Sequence, residues 1–135
     1  MEGVRIVLDT NVLVSGLISP HGAPARILNF IVNGDVILVL DSRIFSEYSD
    51  VLKRKRFSFP PDAVDEILSF IRNAGIFVSP NPLHQTIPDL DDLPFVEVAA
   101  YEHVPVVTGN LRHFGGCGVS VMTPKEFIDM IYAKS

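Results

Sequence analysis

The stretch Val4-Arg5-Ile6-Val7-Leu8-Asp9-Thr10-Asn11 decides the reading of this chain. Val4 to Leu8 is a short, mostly apolar run in which branched side chains predominate, the pattern of a buried strand. It stops on a carboxylate. From Asn11 to Ile18 the pattern becomes that of a short helix, which Ser19-Pro20 ends. Asp9 therefore stands at the carboxyl end of a strand, the edge at which open α/β sheets place their ligands.

Outward from that unit the alternation repeats. Pro24 suits a first helical turn, Ile27, Leu28, Ile31 and Val32 recur at helical spacing, and Gly34 is a stop. Val36 to Leu40 is a continuous apolar strand. Asp41 or Ser42 can cap the following helix, whose face carries Phe45, Tyr48 and Leu52 and which runs into Lys53-Arg54-Lys55-Arg56. Pro60-Pro61 opens a helix with Val64, Ile67, Leu68 and Ile71 as its stripe, and Ile76 to Val78 is a strand. A proline-rich stretch from Ser79 to Leu90 is the longest irregular connection. Asp91 or Asp92 then caps a helix with Phe95, Val96, Ala99 and Ala100 inward. Val104 to Val107 and Val119 to Met122 are strands, and Thr123-Pro124 starts a last helix. Apolar strands alternating with helices predict a three-layer α/β/α fold around a parallel sheet of about five strands. Right-handed crossovers place every carboxyl strand end on one edge.

The 135 residues are expected to form one domain, spanning 1–135. No apolar run reaches the roughly 20 residues of a membrane span. The first strand begins almost at Met1, so no signal peptide is expected. The single cysteine, Cys117, fits a reducing compartment, so a cytoplasmic location is expected. One cysteine and four scattered histidines show no zinc spacing. A net charge of −5 counts against passive binding of nucleic acid through broad neutralisation. It does not count against a nuclease whose clustered carboxylates are offset by bound cations.

Several polar residues fall at strand ends or helix starts. Asp9 alone reads as a helix cap; beside other acids it reads as a ligand. Asp92 sits three and four residues before Phe95 and Val96, so its carboxylate is expected on the inward side of the first turn. Asp91 is expected to be rotated away as a solvated cap, and Asp89 fits either group. By spacing alone Glu47 is an ordinary solvated helix position, although it borders the buried stripe of Ile44 and Val51. Thr108 and Asn110 read as a turn in which Gly109 supplies an unusual dihedral, or as oxygen donors completing a pocket. Mg²⁺ is held by one or two carboxylates plus waters and phosphates. Asp9 and Asp92 would serve as direct ligands, with Glu47 and Asn110 acting through water and Asn11 and Thr108 in support. Lys53, Arg54, Lys55 and Arg56 form the only dense basic run, either a solvated helix end or a phosphate-binding segment for RNA.

These motifs together resemble the PIN-domain family. The residues that carry the resemblance are Leu8-Asp9-Thr10-Asn11-Val12-Leu13, Ser46-Glu47-Tyr48-Ser49-Asp50-Val51-Leu52, Asp89-Leu90-Asp91-Asp92-Leu93-Pro94-Phe95 and Val107-Thr108-Gly109-Asn110. Thr123-Pro124-Lys125-Glu126-Phe127 is similar to the branch described as toxin components of toxin–antitoxin pairs. The resemblance implies an endoribonuclease that uses Mg²⁺ or Mn²⁺, with Asp9, Glu47 and Asp92 as its first three acids. The family's fourth acid falls on Asn110, which keeps an oxygen but lacks the charge. An RNA substrate, a cognate antitoxin and a homodimer are implied as partners. Two other readings compete: a weakly active or inactive PIN domain that binds RNA or protein, and, lower, a haloacid-dehalogenase-like phosphatase. The latter needs an acid two residues after Asp9, where Asn11 stands. A receiver-like domain ranks lower still, because Asp9 lacks an adjacent acid.

Overall fold

A computed structural model describes residues 3–83, 87 and 89–133. The proline-rich connection expected between Ser79 and Leu90 lies partly outside them. The strands are β1 (Val4–Leu8), β2 (Val36–Leu40), β3 (Ile76–Phe77), β4 (Val106–Val107) and β5 (Val121–Met122). The helices are α1 (Thr10–Ile18), α2 (Ala23–Asn33), α3 (Ser42–Leu52), α4 (Pro61–Ala74), α5 (Leu93–Glu102) and α6 (Pro124–Ala133). The five strands form one sheet in the order β3-β2-β1-β4-β5, and each adjacent pair is parallel.

Successive strand residues point to opposite faces. Ile6, Val7 and Leu8 are all buried, so both faces of β1 are covered. Helices α1 and α2 pack together, with α6 against α2; α3 packs against α4 and α5. Full burial of a Val, Leu or Ile side chain stabilises by about 1.5–3 kcal/mol, and the three central strands supply many such residues. Gly34 ends α2 in a left-handed conformation, φ 86°. Its N–H donates to Ile31 O and that of Asp35 to Phe30 O, which satisfies carbonyls the helix leaves open.

The last two strands are shorter than the sequence pattern suggests. Pro105 has no N–H to donate, although its carbonyl accepts from Val7 N at 2.9 Å, and Val104 N bonds back to Ala99 O at 3.1 Å, in α5. Regular pairing therefore starts at Val106. Register fixes what meets at the carboxyl edge. Leu8 pairs with Val107, which puts Asp9 beside Thr108. Ile6 pairs with Leu38, so continuing that register puts Asp9 level with Asp41.

Candidate active site

Asp9 is buried where β1 passes into α1. Its backbone N–H donates to Val107 O at 2.9 Å, which fixes the residue against β4. It occupies the helix N-cap yet its side chain makes no capping bond. Instead its Oδ2 accepts the Thr108 hydroxyl at 2.6 Å. Burial, the largest influence, raises the Asp9 pKa; the Thr108 hydrogen bond and the nearby amides of Thr10 and Asn11 oppose it.

Glu47 projects from the middle of α3. Its Oε2 accepts a short hydrogen bond from the Thr10 hydroxyl, so the side chain leans toward β1 instead of standing in solvent. Below it, Tyr48 is fully buried and its hydroxyl donates to Leu8 O. Burial raises the Glu47 pKa, and the charges of Asp9 and Asp91 add to the shift.

Asp92 ends a 3-10 turn, Leu90–Asp92, and precedes α5. Its Oδ2 is buried without a hydrogen bond, and His113 Nδ1 lies 3.2 Å away, an ion pair only when the imidazole is protonated. Burial first, then the charges of Asp9, Asp89 and Glu47, push the Asp92 pKa up to about 6 against an opposing influence from His113. Asp89, Asp92 and His113 each offer one donor atom, all within 4.8 Å of one another.

Asp89, which by sequence fits either group, is the capping residue, its Oδ1 accepting from Asp91 N at 2.9 Å. Asp91 is exposed, although its charge reaches Glu47. Gly109 differs from the expectation, since it has no positive φ. The turn is held by Asn110 N, which donates to Thr108 Oγ1 at 3.0 Å. Asn110 and Asn11 are both exposed, at the rim. Lys53 to Arg56 are exposed past the end of α3, apart from the acids except that the charge of Arg54 reaches Glu47. The sequence reading offers Thr10 only as an alternative helix cap and gives His113 no role; His113 belongs to a single 3-10 turn, Leu111–Phe114, too short for periodicity to mark.

Two other buried acids lie near this edge and serve structure. Asp41 caps α3 through Arg43 N and Ile44 N and pairs with Arg43 at 2.7 Å. Glu97 pairs with the other side of the same guanidinium at 2.7 Å and accepts from Leu83 N. Asp41 and Glu97 thus have a cation; Asp9 and Glu47 have hydroxyls, and Asp92 has a histidine. The set Asp9, Glu47 and Asp92 is rich in carboxylate oxygen, poor in local positive charge, and includes one buried oxygen without a hydrogen bond, Asp92 Oδ2. That donor chemistry suits a hard divalent cation.

A five-stranded parallel sheet covered by helices, with acids gathered at its carboxyl edge, defines an α/β domain of the three-layer class. The chain belongs to the PIN-domain family, whose model matches residues 5–112. It is 27% identical over 140 aligned positions to the uncharacterized protein MJ1680 of Methanocaldococcus jannaschii, covering 93% of this chain and 90% of that one. Its fold is similar to that in the structure of FitAB bound to an IR36 DNA fragment, with a TM-score of 0.63, 19% identity, and coverage of 88% of this chain and 94% of the other. It is also similar to FitAcB from Neisseria gonorrhoeae, with a TM-score of 0.58, 17% identity, and coverage of 89% and 98%. VapBC2 from Rickettsia felis, bound to a DNA fragment from its promoter, matches with a TM-score of 0.58, 15% identity, and the same coverage of 89% and 98%.

Proposed function

We propose that this chain is a metal-dependent endoribonuclease, the toxin component of a toxin–antitoxin pair. The observation that supports the reading is the placement of three acids from separate segments at one sheet edge: Thr108 holds Asp9, the residue after Asp9, Thr10, holds Glu47, and Asp92 lies with Asp89 and His113 in a group of donor atoms within 4.8 Å of one another. Membership of a nuclease family supports it.

In this reading Asp9 and Asp92 hold Mg²⁺ or Mn²⁺, with Asn110 completing the oxygen set at the rim. When bound, such an ion polarises a phosphoryl oxygen and acidifies water. Thr108 keeps the Asp9 carboxylate in one orientation. Glu47, fixed by Thr10, accepts a proton from the attacking water; its raised pKa brings it nearer neutrality, where a base works best. The Asp92 Oδ2, which makes no hydrogen bond, is available to a cation when the neighbouring His113 is neutral, and His113 stands beside that same oxygen.

The test is cleavage of RNA in Mn²⁺ or Mg²⁺. Cleavage should stop with EDTA and largely disappear in Asp9→Asn. Cleavage that survives that substitution overturns the assignment of the site. A second reading rests on Asn110, which supplies an oxygen without charge. It makes the chain a weak or inactive nuclease that binds RNA or protein. An antitoxin partner is supported by the resemblance to toxin components, and homodimerisation belongs to the same proposal. Co-expression with a neighbouring small gene and sedimentation of the isolated chain test the two separately.

A further inference from the structure

Beyond the acids, the turn after α3 combines charge with stacked rings. Lys53, Arg54, Lys55 and Arg56 are consecutive and exposed. Among the described residues only Arg54 pairs with an acid, Asp50, at 3.4 Å with both side chains in solvent. The Arg56 guanidinium carbon lies 4.7 Å from the Phe57 ring centroid. Phe57 and Phe59 stack, with centroids 5.6 Å apart and planes inclined by 16°. Between the rings Ser58 takes a left-handed backbone, φ 52°, and its hydroxyl donates to Lys55 O at 3.2 Å. Left-handed backbone is unfavourable for a side chain with a Cβ. Here it accompanies two rings held face to face. Beside Phe59 opens a cleft of about 210 Å³, lined by Leu52, Lys53, Phe59, Pro61, Val64 and Asp65.

We propose that the segment Lys53–Phe59 is a docking surface for single-stranded RNA, with phosphates at Arg54, Lys55 and Arg56 and one base against Phe59 in the adjoining cleft. The choice of RNA as occupant rests on the ribonuclease reading; the choice of a single strand rests on the surface itself. Unpaired cations in a chain of net charge −5 call for an anionic partner, and a flat ring stack beside a cleft calls for an exposed planar group. A single strand offers both, a duplex hides its bases, and an acidic peptide lacks the planar faces. The surface also continues the helix that carries one of the acids. Glu47 and Arg54 are seven residues apart, two turns of α3 and its continuation, roughly 10 Å along the axis, and the charge of Arg54 reaches Glu47.

The experiment measures binding of a short oligoribonucleotide carrying 2-aminopurine in EDTA, where no cleavage step enters, across a salt series. Wild type should bind and quench the reporter. Phe59→Leu, which keeps apolar bulk but removes the ring, should weaken binding roughly tenfold and lose the quench while melting close to wild type. The double variant Lys55→Ala with Arg56→Ala should flatten the salt slope by about 1.4, at 0.7 per phosphate contact on a single strand. Both variants binding as wild type does, or a blunt RNA duplex binding as tightly as the single strand, overturns the docking surface. Variant losses as expected, with no cleavage by wild type in Mn²⁺, leave the surface standing and remove the nuclease reading. Cleavage by wild type with unchanged binding in both variants does the reverse.

Discussion

The Thr108 hydroxyl donates to the Asp9 carboxylate across adjacent strand ends at 2.6 Å, while accepting the Asn110 amide at 3.0 Å. One side chain thus ties the turn after β4 to the first acid. Thr108→Val keeps the shape and removes the donor, leaving a buried carboxylate oxygen unsatisfied. Such a loss costs about 1–3 kcal/mol, and removal of a bond that orients a ligand lowers metal affinity roughly 10–100-fold. Denaturant melts and Mn²⁺ titration of Thr108→Val measure the two effects. A variant that binds Mn²⁺ as wild type does removes the orienting role.

Asp92→Asn separates function from stability. The native carboxylate is desolvated and repelled by neighbouring acids, which raises its pKa. Neutralising it should abolish RNA cleavage, yet raise the melting temperature of the EDTA-treated protein near neutral pH by a few degrees. It should also remove the added stability that Mn²⁺ gives wild type, about 2.7 kcal/mol at a hundredfold excess over the dissociation constant. A destabilised variant in EDTA would contradict this account of the site.

The pH dependence follows from the same group. The Asp92 pKa rises from 3.8 unfolded to about 6 folded, so between those values the native state holds more protons than the unfolded chain. Its contribution to stability is full below about 4 and is lost as pH rises through about 6. Asp9 and Glu47 are raised too and act in the same direction. The difference in stability between wild type and Asp92→Asn in EDTA should therefore move against wild type across that window. With Mn²⁺, which competes with protons for the carboxylates, the stabilisation by metal should grow over the same range.

How much of this was legible depended on sequence distance. The apolar runs Val4–Leu8 and Val36–Leu40 announced the central strands, because a strand covered on both faces needs no alternation. Asp9 and Thr108 were visible as polar ends of such runs. Spacing placed Glu47 only at the border of the buried stripe, since what turns it inward is a hydroxyl on Thr10, 37 residues earlier; the resemblance made it one of the three acids. Asp89 stayed open between cap and ligand because a 3-10 turn, not an α-helix, leads into α5, and helical spacing does not say which acid caps it. His113 and the Arg43 clamp were missed because their partners, Asp92 and Glu97, are remote in sequence.

The clamp makes its own prediction. Arg43 holds Asp41 and Glu97 at 2.7 Å each, and Glu97 is only 4% exposed. Arg43→Met would leave that carboxylate buried without a cation. Breaking a buried pair costs about 3–5 kcal/mol; the guanidinium is half-exposed, so about 2–3 is expected here. Adding Glu97→Gln should restore part of the loss, because the remaining group is then neutral. If the double variant is no better than the single one, the loss lies in packing, not in charge.

Asn110 decides between an active enzyme and a binding module. Asn110→Asp adds a carboxylate at the rim of a site that already carries Asp9, Glu47 and Asp92, so repulsion should lower stability in EDTA by a fraction of a kcal/mol, as expected for an exposed position. With Mn²⁺ the same charge becomes an additional ligand and should tighten metal binding. If the natural chain is impaired, cleavage should rise tenfold or more. If it is already an efficient nuclease, the substitution should change metal affinity and leave the rate at saturating metal within a few-fold. A chain that binds Mn²⁺ and RNA but cuts neither before nor after the substitution acts by binding, and the acids then serve to hold the ion.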